Sequence, residues 1–257
     1  MKFKSIIISK KGGPEVLQVV ENEFRLLDKE EVLIKIQACG VGRTDIGYRR
    51  GEIAFAPKIP FVPGYEILGI VDAIGEGVTK VAKGDRVAAL TGHGGYSEYI
   101  YLGQEHLVRV PTSLNPAEAV TVVLNYVAAY QMLHRSVQVK AGDKVLIIGA
   151  TGGVGTALLQ LGKLSNLVMY GTATKDKFKV LEELGATPID YKNQSLIDIL
   201  SKAEAKGIDF VFDGVGGKYG KIGLEVLRKG GKVVEFTPAP KGISMVTKCD
   251  SLIISDP

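Results

Sequence analysis

Between residues 144 and 155 the chain reads KVLIIGATGGVG, and no other stretch narrows the choice of folds so far. Residues 145–148 are a short aliphatic run, the pattern of a parallel strand covered on both faces. The run stops at once in a glycine cluster. Gly149, Gly152 and Gly155 recur every third residue, a spacing that lets the backbone turn tightly, approach a phosphate unobstructed and bring the next helix close to the strand. Residues 153–164 then read as a helix with an apolar face, opening on Gly153 and Val154. Its first amides have no partner within the helix and lie at the positive end of its dipole, which suits an anionic group such as a diphosphate. A glycine triplet alone also fits a bare tight turn. Strand, glycines and helix in this order point instead to a dinucleotide site.

The 257 residues are enough for two domains of ordinary size. With 46% hydrophobic and 23% charged residues, the composition is that of a soluble globular protein. The net charge is only +4, and the Lys and Arg residues are scattered, so no nucleic-acid footprint is visible. Cys39 and Cys249 cannot build a disulfide framework and lack the paired spacings of a zinc site; a reducing, cytoplasmic setting is expected. The start, MKFKSIIISKKGG, falls far short of a signal-peptide core, and no later run approaches a membrane span.

Residues 1–113 read as strands and turns. Segments 32–38, 67–74, 86–90 and 99–110 are β-rich, and 75–79 and 83–85 carry turn chemistry. Together they make a compact, mainly β domain. The style changes at Asn115. Asn115, Pro116 and Glu118 stand where an N-cap, a first-turn proline and a capping-box acid belong, and an apolar helix running to about residue 135 follows. Residues 114–257 are expected to form the second domain. Its periods alternate: strands 144–149, 167–171, 187–190, 208–212 and 231–236, with helices 153–164, 175–184, 195–205 and 217–228 between them. That is an α/β pattern, a doubly wound parallel sheet. Ligands of such sheets lie beyond the carboxyl ends of the strands. The rule singles out Gly149, Gly152, Gly153, Val154 and Gly155, then Thr172, Thr174, Lys175 and Lys177, then Tyr191, Gly214 and Val215, and finally Phe236 and Thr237.

An acidic residue at the end of the second strand would hold the ribose hydroxyls of NAD. Here Gly171 and Thr172 occupy that place. Thr172 and Thr174 offer hydroxyls, and Lys175 and Lys177 put two ammonium groups in the following turn. A carboxylate about 4 Å from a 2′-phosphate would add repulsion of up to about 4 kcal/mol at an effective dielectric near 20, so its absence favours NADPH as the cofactor. The alternative is that both lysines are solvated helix-face charges.

The D-x-x-x-R-x-G string at 45–51, VPGYEILGIVDAIGEGVTKVAKGDRV at 62–87, GGYSEY at 94–99, NYVAAYQML at 125–133, the glycine turn and FDGVGG at 212–217 together resemble a known family. It is the medium-chain dehydrogenase/reductases, in the zinc-independent quinone oxidoreductase and zeta-crystallin branch. The resemblance covers nearly the whole chain. It implies a GroES-like β-barrel domain followed by a Rossmann domain, with catalysis in the cleft between them. Zinc alcohol dehydrogenases of the same superfamily place a cysteine and a histidine where this chain has Gly42 and Tyr65. The lobe that binds their structural zinc is also absent between Arg86 and Tyr96. Tetrahedral zinc needs sulfur, imidazole or carboxylate ligands, so no metal is expected and Cys39 reads as a small apolar filler.

Without a Lewis acid, hydride addition to a quinone or an α,β-unsaturated carbonyl is easier than alcohol oxidation, because the negative charge is delocalised and a few donors can stabilise it. Tyr65, aligned with the metal-binding histidine, is the first candidate donor. Its phenol is protonated at neutral pH, the alternative being a packed tyrosine with a wet hydroxyl. Tyr48 is a second candidate. His93, in the TGHGGY segment, could donate or relay a proton or be merely exposed. Asp45 and Glu66 are read as orienting the backbone. Relatives generally carry Asn at the Gly42 position and Thr at the Ala128 position, so cofactor binding is expected to survive better than turnover.

The expected activity is NADPH-dependent reduction of a small-molecule quinone or enone. Its rivals are an enoyl-thioester reductase and a noncatalytic NADPH-binding protein. Family members usually continue well past the strand near residue 236, whereas here only PAPKGISMVTKCDSLIISDP remains, with one more strand expected at 243–246. A C-terminally shortened chain with an open sheet edge would be either a homodimer or a marginally stable fragment.

Overall fold

The computed structural model describes residues 1–53 and 55–236, and the backbone of two further strands at 244–248 and 253–256. Two compact units divide the chain, Met1–Leu124 and Asn125–Pro257.

The first unit is built on an antiparallel sheet. Strands β1 (Lys2–Ile8) and β2 (Leu17–Glu23) pair as a ribbon. Strands β3 (Glu31–Cys39), β4 (Glu66–Ile74), β5 (Arg86–Leu90), β6 (Tyr99–Gly103) and β7 (Val108–Arg109) form a five-stranded sheet in the order β6-β3-β4-β5-β7. Val32, Ile34, Ile67, Val71 and Val87 alternate inward to make its core. The strands fall where the apolar pattern puts them. The short helix α1 (Arg43–Arg50) interrupts the mainly β pattern of this unit. Its signals are local: the Gly42 N–H donates to Asp45 Oδ2 at 2.8 Å, and Gly51 closes the helix at φ 74°.

Helix α2 (Pro116–Thr121) opens as its sequence dictates, with Asn115 Oδ1 accepting from Ala117 N–H at 2.9 Å. Ala119 and Val120 pack against Leu68 and Ala88 in the first unit. The single helix expected to run on to about residue 135 is interrupted. Val122–Tyr126 is π-helical, Val127–Tyr130 (α3) is α-helical, and Gln131–Ser136 is π-helical again. Two causes act at the first widening. The β-branched run Val120–Val123 has low helix propensity, and the Leu124 N–H donates to Glu66 Oε2 at 2.8 Å, a side chain from outside the helix entering its hydrogen-bond ladder.

The second unit holds a seven-stranded sheet. Its parallel part comprises β8 (Lys144–Ile148), β9 (Val168–Ala173), β10 (Ala186–Asp190), β11 (Ile208–Asp213) and β12 (Leu227–Glu235). Strands β13 (Ser244–Lys248) and β14 (Ile253–Asp256) add on antiparallel. The order is β10-β9-β8-β11-β12-β13-β14. Helices α4 (Gly153–Leu164), α5 (Phe178–Glu183), α6 (Leu196–Ala203) and α7 (Lys218–Val226) alternate with the parallel strands. Val145, Ile147 and Phe212 face one apolar layer, and Leu146, Ile148 and Val211 face the other, which is why the central strand β8 is a continuous aliphatic run. Where one further strand was expected near the end, two are present. The start of the expected one, Ile243, lies outside the described residues.

Strand order reverses between β8 and β11, and the glycine turn sits at that switch point. Gly149 adopts φ 83°, a conformation that favours glycine, and the Gly152 N–H donates to its carbonyl at 3.0 Å. A Cβ on Gly155 would stand 2.4 Å from Gly149 O and 2.7 Å from Ala150 O. Intrinsic helix propensity alone would make Gly155→Ala stabilising by about 1 kcal/mol. Contact with fixed backbone oxygens reverses the sign, and a loss of about 1–3 kcal/mol is expected in urea unfolding. An unchanged or raised midpoint would refute the close approach.

Candidate functional site

The carboxyl ends of the parallel strands gather the sequence-predicted cofactor residues of the second unit. Gly152 is the N-cap of α4 and has no side chain to cap the helix. The N–H groups of Gly153, Val154 and Gly155 therefore lack an intrahelical partner and lie at the positive end of the dipole. On the β11 side, the Gly214 N–H donates to Ile148 O at 3.0 Å. The Val215 and Gly216 N–H groups donate to the buried Asp213 Oδ1 at 2.8 and 2.9 Å. Val215 is half exposed, and its Cγ2 lies 3.2 Å from the place a Cβ on Gly149 would take. The Phe236 ring closes over Gly214, 2.7 Å from the place its Cβ would take. Thr237 lies outside the described residues.

Strand β9 runs two residues further than the sequence pattern indicates, ending at Ala173; still no carboxylate stands at its end. Thr172 is buried, and its Oγ1 accepts from the Gly149 N–H at 2.9 Å, so this hydroxyl braces the glycine turn. The Thr174 hydroxyl bonds to Asp176, which together with Lys177 and Lys192 holds that carboxyl below its usual range. Asp190 is held low by Asn193, the Lys192 N–H and then Lys175. Lys175, Lys177 and Lys192 are all exposed. Sequence reasoning missed Lys192, which reaches this cluster from the loop after β10 and carries no motif of its own. Tyr191, beside it, stacks edge-on against Tyr219 at 5.9 Å and 86°.

The residues fit a dinucleotide on two counts. Gly152 and Gly153 are exposed at the start of α4, so the free amides there are open to an anion, and Lys175, Lys177 and Lys192 stand at the end of β9 and β10 in a cluster with Asp176 and Asp190.

The catalytic candidates lie in the first unit. Tyr48 is buried, with its ring edge-on to Phe61 at 6.0 Å and to Phe55 at 6.2 Å. The Tyr65 ring is 6.4 Å away, tilted by 35°. Burial, then Tyr65 and Asp45, raise the Tyr48 phenol above its ordinary value, so it is a donor at neutral pH. Tyr65 O accepts from the Thr91 and Gly92 N–H groups at 2.9 and 3.1 Å, which hangs the loop carrying the exposed His93 on the same strand start. The structure thus brings Tyr48 and Tyr65 together and leaves His93 in solvent nearby in sequence.

Beneath them, Asp45 Oδ1 accepts from the Gly64 N–H at 2.9 Å, its other oxygen already holding Gly42. Burial raises its pKa against the pull of these bonds. Burial likewise pushes the Glu66 carboxyl up to about 7, the Leu124 N–H opposing and Asp45 adding. Burial, then Asp45 and Glu66, push the Cys39 thiol up to about 12, so it remains a thiol packed beside the sheet core. Among the described residues no three His, Cys, Asp or Glu side chains come together as metal ligands. None of the described helices is long and apolar enough to cross a membrane.

Known proteins match this arrangement. The alcohol dehydrogenase GroES-like domain profile matches residues 28–112, and the zinc-binding dehydrogenase profile matches 153–249. The quinone oxidoreductase of Lama guanicoe is 34% identical over 237 residues, 90% of this chain and 72% of that protein. The chain belongs to the quinone oxidoreductase branch of the medium-chain dehydrogenase/reductases. Its two units are accordingly the GroES-like and Rossmann parts of that family. The quinone oxidoreductase structure of Pseudomonas syringae pv. Tomato superposes with a TM-score of 0.86 at 33% identity, covering 91% of this chain and 73% of that one. A mycobacterial protein described as complexed with NADPH gives a TM-score of 0.84 at 30% identity, covering 93% and 75%. The synaptic vesicle membrane protein VAT-1 homolog of Rattus norvegicus is 36% identical over 208 residues, 80% of this chain and 52% of that protein. The chain thus spans about half the length of that relative.

Glu66 gives this site a pH signature. The folded chain holds the Glu66 proton up to about pH 7, while the unfolded chain releases it near the ordinary glutamate value of 4.5. The folded state is the better proton binder between those values, so its stability falls as pH rises through them, by up to about 3 kcal/mol. Glu66→Gln keeps an acceptor for Leu124 and removes the titration. The variant is expected to melt nearest the wild type at pH 5 and well above it at pH 8. A difference in Tm that does not grow with pH would contradict the assignment.

Proposed function

We propose that the chain is an NADPH-dependent oxidoreductase that delivers hydride to a quinone or an α,β-unsaturated carbonyl without zinc. The observation that carries this reading is the switch-point glycine turn with its free amides, flanked by lysines rather than by an acid at the end of β9. Thr172 and Thr174 serve by shaping the rim. Lys175, Lys177 and Lys192 supply the charge for a 2′-phosphate, with Tyr191 beside it. Gly214, Val215 and Phe236 line the side of the turn toward β11. The NADPH named for the mycobacterial relative and the activity named for the guanaco and Pseudomonas relatives point the same way.

Reduced nicotinamide supplies the hydride when the cofactor is bound. The protein's own part is to hold the dinucleotide by main-chain donors and to meet the charge that develops on the acceptor oxygen. Tyr65 and Tyr48 are assigned that second role. A protonated phenol can donate a hydrogen bond to the developing oxyanion, and the neighbouring aromatic rings favour a flat conjugated acceptor. Tyr48→Phe and Tyr65→Phe are each expected to lower kcat about tenfold to a hundredfold while leaving NADPH affinity within about twofold. Equal turnover in both variants would remove the tyrosines from the mechanism.

Cofactor choice is tested by titrating NADPH and NADH side by side. The wild type is expected to prefer NADPH, and Lys177→Ala and Lys192→Ala are each expected to cut that preference about tenfold, or about 1.4 kcal/mol. Equal affinity for the two cofactors, or an unchanged preference in both variants, would overturn the assignment. A panel of a simple quinone and a 2-enoyl thioester separates the acceptor classes. Faster NADPH consumption with the thioester favours an enoyl reductase, and tight binding without turnover favours a noncatalytic binding protein.

A further inference from the structure

The π-helical stretch Val122–Tyr126 carries a side chain that the family motifs leave without a role. Asn125 Nδ2 and Oδ1 lie 2.9 and 3.0 Å from the place a Cβ on Gly153 would take. The carboxamide therefore rests on the first residue of α4, in the space that the glycine leaves open. It is half-buried, and its amide makes no hydrogen bond among the described residues, although its neighbours do. The Tyr126 hydroxyl donates to Gln160 Oε1 of α4 at 2.5 Å, which ties this stretch to the helix and holds Asn125 over its start. Wide turns of this kind recur at functional sites. Gly153 is exposed, so the amide borders open space at the same end of the helix where the N–H groups of Gly153, Val154 and Gly155 lack partners.

We propose that Asn125 is a diphosphate ligand: its Nδ2 donates to a phosphate oxygen as a fourth donor beside the three main-chain amides. The proposal rests on the dinucleotide reading of the site and adds a side-chain contact from a helix outside the glycine motif. It also accounts for glycine at position 153, since a methyl there would displace the carboxamide. A neutral amide suits the place chemically. It adds a donor without a charge that would have to be matched when the site is empty, and its short side chain loses little freedom on binding.

The test is calorimetric titration of the full chain with NADPH, ADP and AMP, which differ in whether they carry a diphosphate. Asn125→Leu keeps the size of the side chain and removes the donor. It is expected to weaken NADPH and ADP about tenfold and AMP by about twofold or less. Asn125→Asp keeps the shape and places an anion against the phosphates. It is expected to weaken NADPH and ADP more than the leucine variant does, with part of the loss recovered on lowering the pH toward 4. Retained AMP binding reports a folded Rossmann unit in either variant. An ADP-to-AMP affinity ratio equal to that of the wild type in both variants would overturn the proposal, as would a parallel loss of ADP and AMP. Failure of the wild type to bind any of the three would instead overturn the dinucleotide reading beneath it.

Discussion

The arrangement of the second unit depends on one steric fact: the first turn of α4 approaches the end of β8 so closely that Gly155 has no room for a Cβ. That approach sets the direction of the helix and aims its free amides across the switch point. The same turn is braced from the side by Thr172, whose hydroxyl takes the Gly149 N–H. Asp213 organises the facing loop by accepting from Val215 and Gly216. The anion site proposed here would be made almost wholly of backbone, with side chains acting as struts. Such a site tolerates wide variation in the sequence around it, provided that the glycines and their struts remain.

The first unit uses buried carboxylates in a comparable way. Asp45 bridges the Gly42 and Gly64 amides, and Glu66 takes the Leu124 amide. In each case burial opposes the charged form while hydrogen bonds favour it. These carboxylates fix the segments on which Tyr48 and Tyr65 stand. The resemblance implies that zinc ligands of other branches fall at the positions of Gly42 and Tyr65, and on the proposed reading phenols are the donors that meet the acceptor oxygen.

Much of this was legible in the sequence, for a physical reason. A central parallel strand buried on both faces is a continuous aliphatic run, as at 145–148, and glycine marks the turns, so β8 to β11 and helices α4 to α7 fall within a few residues of the pattern; β12 starts at Leu227, four residues ahead of the expected strand, because residues 228–231 carry no apolar run. The glycine cradle is equally local. The features that escaped depend on distant partners. The widening at Val122–Tyr126 involves Glu66, 58 residues away in sequence, and no periodicity within the helix records it. The grouping of Lys192 with Lys177 around Asp176 arises only when β10 lies beside β9. Thr172 reads as a ligand hydroxyl until its partner, the Gly149 amide, is in view. Helix α1 was missed because an eight-residue helix rich in charge offers little apolar periodicity to detect.

On the proposed reading, main-chain nitrogens at the start of α4 hold a nicotinamide dinucleotide by its diphosphate. Recording the amide resonances of the 15N-labelled full chain during an NADPH titration tests it most directly. The Gly153, Val154 and Gly155 amides are expected to move together and saturate with the bound fraction. Saturable binding that leaves these three amides unmoved would contradict it.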